Sequence, residues 1–172
     1  AAALALAAGR GLPVLCVDPG PLRARLQEAA QRQLVDFLRS HQVDLVCLAG
    51  FMRIIGGVLL DAYPAAILNI HPSLLPSFPG LDAPRQALEH GVKTSGCTVH
   101  LVDAGVDSGP IVVQAAVPVH DDDTRDTLAA RILEREHEIY PRAVRLWAER
   151  RLQIEGRRVR IAPDPVATPP GE

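Results

Sequence analysis

The chain holds 172 residues, 48% of them hydrophobic, with a net charge of −2 and a mean hydropathy just above zero. That is long enough for one domain with its own core and too apolar for a disordered chain. The acidic balance offers no basic footprint for nucleic acid, and no apolar run reaches the roughly 18 residues of a membrane span, so neither partner is expected.

Cysteine usage bears on the compartment. Cys16, Cys47 and Cys97 are odd in number, scattered, and set in apolar strand-like contexts. This fits a reducing cytosol, and hence a cytoplasmic protein, better than a disulfide framework or a zinc site. Residues 1–8 are apolar but carry no basic leader, which makes them a poor signal peptide. Lys93 is the sole lysine among 18 basic residues, which reads as genome composition. The chain opens on Ala1 in mid-helix composition and reads as N-terminally incomplete.

In chain order, residues 1–8 favour helix, with Gly9 as a stop. Residues 12–17 form a short apolar run expected to be a strand, and Asp18-Pro19-Gly20-Pro21 a turn. Residues 22–41 carry an amphipathic stripe at Leu22, Leu26, Ala30, Leu34 and Leu38. Residues 44–49 predict a buried strand, and 51–63 a turn opening a short helix. Residues 67–71 predict a central strand, 83–90 a short helix, and 98–102 and 111–117 an antiparallel pair. Thr124 can cap a long helix reaching about Arg150, with Pro141 as a bend. Residues 152–161 predict a hairpin turning at Glu155-Gly156. The alternation predicts an α/β fold: a Rossmann-like open, mostly parallel sheet with helices on both faces and an antiparallel C-terminal portion. One domain is expected over 1–161, with a proline-rich, disordered tail over 162–172.

The strand at 67–71 carries the chemistry. Side chains alternate along a strand, so Asn69 and His71 share one face while Ile70 points into the other layer. Pro72 cannot continue the ladder, so a carboxamide and an imidazole sit together at a strand's carboxyl end, where open α/β sheets bind ligands. A buried histidine can equally be a satisfied structural group. A second candidate is the loop 103–110, which reads either as a plain turn or as a ligand-wrapping loop. A carboxylate there, Asp107, would favour an imidazolium at His71, and imidazolium beside carboxamide suits an oxyanion. No G-x-S-x-G elbow exists, so the nucleophile is expected from a second substrate. Gly50-Phe51-Met52-Arg53-Ile54 reads as a tight turn or as a wall for a flat ligand. Residues 135–140 read as a solvated helix face, and Cys97 as a small core residue. No histidines stand at metal-ligand spacing, so no metal is expected.

LAGFMRI (48–54), LNIHPSLLPSFPG (68–80), GCTVH (96–100), VDSGPIV (106–112) and EHEIYP (136–141) occur in one order. In this the chain resembles the phosphoribosylglycinamide formyltransferase family over nearly all of residues 44–152. The resemblance implies the formyltransferase fold and transfer of a formyl group from 10-formyltetrahydrofolate to the amine of glycinamide ribonucleotide, in purine biosynthesis. It implies that Asn69, His71 and Asp107 are catalytic. His71, kept protonated by Asp107, and Asn69 would donate to the oxyanion, and Asp107 would help a water move protons. It places the folate co-substrate against Met52, Arg53, Ile54 and Ile55, Asn69, and the loop of Asp103, Ala104, Gly105, Val106 and Asp107. It places the ribonucleotide at Leu133, Glu134, Arg135 and Glu136. It also implies that a strand and a phosphate-cradling loop precede Ala1, without which phosphate binding and folding should suffer. The partners are thus the two substrates, and there is room for a homodimer. The resemblance leaves a related formyltetrahydrofolate deformylase, which has histidine where Pro72 stands, as the alternative. A folate-binding remnant without turnover is the non-enzyme reading.

Overall fold

The computed structural model describes residues 2–20 and 24–164; the expected tail beyond 164 lies outside them. Helix α1 (Ala2–Gly9) is followed by α2 (Glu28–Ser40), β1 (Val46–Leu48), α3 (Gly57–Ala62), β2 (Ile67–His71) and α4 (Ala83–Glu89). Then come β3 (Thr94–Leu101), β4 (Ile111–Pro118), α5 (Arg125–Ala148) and the hairpin β5 (Leu152–Glu155) and β6 (Arg158–Ile161).

Strands β1 to β4 form one sheet in that order: β1 parallel to β2, then β2–β3 and β3–β4 antiparallel. The α/β class and the antiparallel C-terminal portion are as expected. The sheet is mixed, with one parallel pair among the described residues. β2 is apolar on both faces because both are covered. Leu68 and Ile70 join the cluster of α5, β3 and β4. Ile67 points the other way, into a cluster with Val35 of α2 and Leu59 of α3.

Residues 12–17 do not form the expected strand. Leu12, Val14 and Leu15 are 56%, 45% and 36% exposed. A strand needs a ladder partner, and no described residue pairs with this run. Cys16 therefore lies in an exposed segment, and Cys47 of β1 is exposed as well. Cys97 is buried in β3, and burial, with the charge of Glu136 adding to it, pushes its thiol up to about 12.

Helix α2 also starts later than its apolar stripe. Arg25 bridges Ile54, with Leu26 N donating to Ile54 O at 3.1 Å and Ile54 N to Ala24 O at 2.8 Å. That ladder holds 24–26 extended, so the helix begins at Glu28. Thr124 caps α5 as expected: its hydroxyl accepts from Thr127 N (3.2 Å), and Thr127 Oγ1 accepts from Thr124 N (2.9 Å). The helix then continues through Pro141 to Ala148.

Candidate active site

The carboxyl ends of β1 and β2 open onto a cavity of about 840 Å³. Tyr140 of α5 ties the two strands together: its hydroxyl donates to Leu48 O, at the end of β1, at 2.7 Å, with Leu68 O, near the start of β2, at 3.1 Å. Burial raises the tyrosine well above its ordinary range, so the group remains a donor. Beyond Leu48 the chain leaves the sheet and builds one wall from residues 50–55. Beyond Leu68 come Asn69 and His71, both lining the cavity.

In the β2–β3 register, Asn69 stands directly opposite His100 and His71 opposite Thr98. Opposite residues of an antiparallel pair share a face. Asn69 Nδ2 accordingly lies 3.1 Å from His100 Nε2. His100 Nδ1 lies 2.9 Å from the Leu101 carbonyl, which can only accept, so that nitrogen carries a proton. Nε2 accepts from Asn69 when His100 is neutral and turns a proton toward the Asp107 carboxylate when the ring is charged. The carboxamide has a second N–H to offer the cavity.

His71 is 5% exposed and held at both ring nitrogens. Nδ1 is 3.3 Å from Asp107 Oδ2, and Nε2 is 2.8 Å from the Phe78 carbonyl. Both neighbours are acceptors, an arrangement best satisfied when both nitrogens carry protons. Asp107 is fixed in turn by Gly80 N, which donates to Oδ2 at 2.8 Å. Its Oδ1 is 3.6 Å from His100 Nε2, longer than a hydrogen bond. Burial acts to raise the Asp107 carboxyl. The His100 imidazole, the Gly80 N–H and the charge of His71 outweigh it and hold the group below the ordinary carboxylate range.

Two loops make this geometry. Residues 72–80 are pinned to the sheet by a buried network. Thr98 Oγ1 donates to Ser73 O (2.6 Å) and accepts from Leu75 N (3.0 Å), while Gln114 Nε2 donates to Leu75 O (2.9 Å). The loop after β3 folds on Asp103, whose Oδ1 accepts from Gly105 N (3.0 Å) and Ser108 Oγ (2.6 Å). At Gly109 a Cβ would collide with the Leu101 carbonyl, so only glycine permits the return toward β4.

The cavity gathers most of the expected residues: Met52, Arg53, Ile54, Ile55, Asn69, His71, Asp103, Gly105, Val106, Asp107, Leu133 and Glu136 line it. Ala104, Glu134 and Arg135 do not. Residues 134 and 135 fall about 100° and 200° round the helix from Leu133, away from the cavity, and Arg135 pairs with Glu138 at 2.7 Å. Glu136 faces the cavity half-buried, and burial, against the charge of His137, raises its carboxyl. The sequence reading missed the cavity roles of Gly80, Leu81, Asp82, His100 and Arg125, which also line it. GCTVH was a signal for His100, but its place beside Asn69 depends on strand register. Among the described residues no group of His, Cys, Asp or Glu is arranged to hold a metal ion, and no helix is long and apolar enough to cross a membrane.

A family model described as formyl transferase matches residues 1–144. The phosphoribosylglycinamide formyltransferase of Bacillus subtilis is 50% identical over 117 residues, which is 68% of this chain and 60% of that protein. Among solved structures, glycinamide ribonucleotide transformylase 1 from Symbiobacterium toebii superposes with a TM-score of 0.87 at 58% identity, covering 93% of this chain and 74% of that one. A formyltetrahydrofolate deformylase from Pseudomonas syringae pv. tomato has a TM-score of 0.85 at only 29% identity, over 92% of this chain and 52% of its own. The chain spans 60% of the length of the B. subtilis relative and 10% of a trifunctional purine biosynthetic protein from Drosophila melanogaster that it also matches. With the family model covering most of its length and the close relatives agreeing, the chain belongs to the formyl transferase family.

Proposed function

We propose that this chain forms the reaction centre of a phosphoribosylglycinamide formyltransferase, moving a formyl group from 10-formyltetrahydrofolate to the amino group of glycinamide ribonucleotide. The observation that supports it most is the convergence of the Asn69 amide, the His71 imidazole and the Asp107 carboxylate on one cavity with largely apolar walls. Donors beside a developing oxyanion in a site shielded from water are the largest single source of rate in acyl-type transfer.

The substrate amine attacks the formyl carbon and the carbonyl π electrons move onto oxygen. His71, held as imidazolium by Asp107, and the free N–H of Asn69 donate to that oxyanion. For this the His71 Nε2 proton exchanges the Phe78 carbonyl, 2.8 Å away, for the formyl oxygen. A water at Asp107 takes a proton from the attacking nitrogen and passes one to the folate nitrogen. The carbon–nitrogen bond to folate breaks, and the formyl group remains on the ribonucleotide. The folate lies against 52–55 and 103–107, and the ribonucleotide reaches Leu133 and Glu136. The three free thiols suit a cytoplasmic protein.

The test uses the full-length protein, with loss of 10-formyl-folate followed with and without glycinamide ribonucleotide. Consumption only with the ribonucleotide present is expected. Replacing His71 with Ala should lower the rate by about 10²–10⁴-fold, the usual worth of a positioned proton donor. Consumption without the ribonucleotide would instead identify the hydrolytic deformylase, and folate binding with no consumption a binding protein without turnover.

A further inference from the structure

The segment 78–82 supplies both backbone groups that orient the imidazole–carboxylate pair: the Phe78 carbonyl on His71 and the Gly80 N–H on Asp107, each at 2.8 Å. It does so in an unusual conformation. Phe78, Gly80 and Asp82 all have positive φ, at 53°, 83° and 54°. Phe78 has a side chain that disfavours this region, whereas Asp82 tolerates it, and the strain at Phe78 persists only where surrounding contacts hold it.

Some of those contacts are local. Gln86 Nε2 donates to Pro79 O (3.2 Å) and Leu81 O (2.9 Å), and Arg85 Nε lies 3.2 Å from Asp82 Oδ2, all from α4, which follows directly. One is not. Arg125 Nε, at the first residue of α5, donates to Asp82 Oδ1 at 3.0 Å, while its Nη1 holds Asp126 at 2.9 Å. Among the described residues this is the one hydrogen-bonded link from the segment 72–82 to α5. Both residues border the cavity.

We propose that Asp82 and Arg125 are positioning residues: their ion pair clamps the strained segment 78–82 to the start of α5, so that Phe78 and Gly80 hold His71 and Asp107 in register. The effect on turnover rests on the formyl-transfer function proposed above; the effect on geometry does not. An exposed ion pair contributes little to global stability, so its loss appears in the site rather than in the melting temperature.

The experiment compares Asp82→Asn, Arg125→Met and Arg125→Lys in the full-length protein. Asparagine tolerates the left-handed backbone, so Asp82→Asn removes charge without adding strain. Two readouts are taken: kcat and KM for formyl transfer, and hydrogen exchange of the Gly80 amide in the ligand-free protein. Asp82→Asn and Arg125→Met should each speed Gly80 exchange about tenfold and lower kcat about tenfold with KM little changed, as a small misplacement of reacting groups does. Arg125→Lys should restore most of both. Gly80 exchange and kcat at wild-type values in Asp82→Asn would overturn the proposal. So would a raised KM in Arg125→Met that Asp82→Asn does not share, which would make Arg125 a substrate contact. If the protein transfers no formyl group, Gly80 exchange still decides whether the clamp exists.

Discussion

At Asp107 three separate demands meet. Its backbone is left-handed at φ 49°, one carboxylate oxygen takes the Gly80 N–H, and the same oxygen faces the His71 imidazole. Asn fits the same backbone, so Asp107→Asn isolates the charge. On the proposed mechanism we expect it to lower kcat by at least about 10²-fold, since the charged form of His71 would lose its counter-charge. The same variant tests linkage. The Asp107 carboxyl is depressed in the fold. It therefore contributes stability above the ordinary carboxylate value of about 3.9, and that stability is lost as pH falls through the folded value. Denaturation should find Asp107→Asn less stable than wild type at pH 7, with the gap closing below about pH 4.

Glu136 has the opposite sign. Burial raises its carboxyl, so its stabilising, protonated form belongs to low pH and is lost as pH rises through the folded value. Glu136→Gln should raise the unfolding midpoint modestly at pH 7 and do nothing below about pH 4, while weakening substrate binding. A midpoint unchanged at pH 7 would mean solvent reaches the carboxylate freely. Much at this scale was legible in advance. Asn69 and His71 share a face because strands have a period of two, and Pro72 marks where they stop. His100 was not, because nothing local in GCTVH says which β2 residue will stand opposite.

Among the elements, β3 and β4 leave no room for a side chain at Gly96. A Cβ there would run into the Ala115 carbonyl and crowd the Leu74 side chain. Gly96→Ala should therefore cost about 2–3 kcal/mol, as overpacked cores do, read as a lower urea midpoint at unchanged slope. An unmoved midpoint would show that the two strands can part there without penalty. Strand β2 was readable residue for residue because its apolar run, its alternation and its terminating proline agree. The hairpin and the capped start of α5 were readable for the same reason, local chemistry agreeing with tertiary need. Residues 12–17 show the converse. Their apolar run is as strand-like as β1, yet strand formation depends on a neighbour, and the sequence of a strand does not contain its neighbour. The late start of α2 has the same origin, since Arg25 and Leu26 were claimed by Ile54.

Across the molecule, the described residues form two apolar clusters on opposite faces of one small sheet, the larger under α5 and the smaller under α2 and α3. Trp147, near the end of α5, packs against both, and its indole Nε1 donates to the Ala65 carbonyl at 3.0 Å, just before β2. It is the only tryptophan in the chain. The molecule thus has a built-in optical gauge at the seam between its two cores. Selectively excited indole emission should shift to the red when either cluster releases the ring. Its urea transition should coincide with the loss of far-ultraviolet ellipticity if the two faces melt as one cooperative unit. An emission change that precedes the loss of helix signal would reveal α5 peeling from the Ala65 corner first, carrying the Tyr140 tie and the Glu136 wall of the cavity with it.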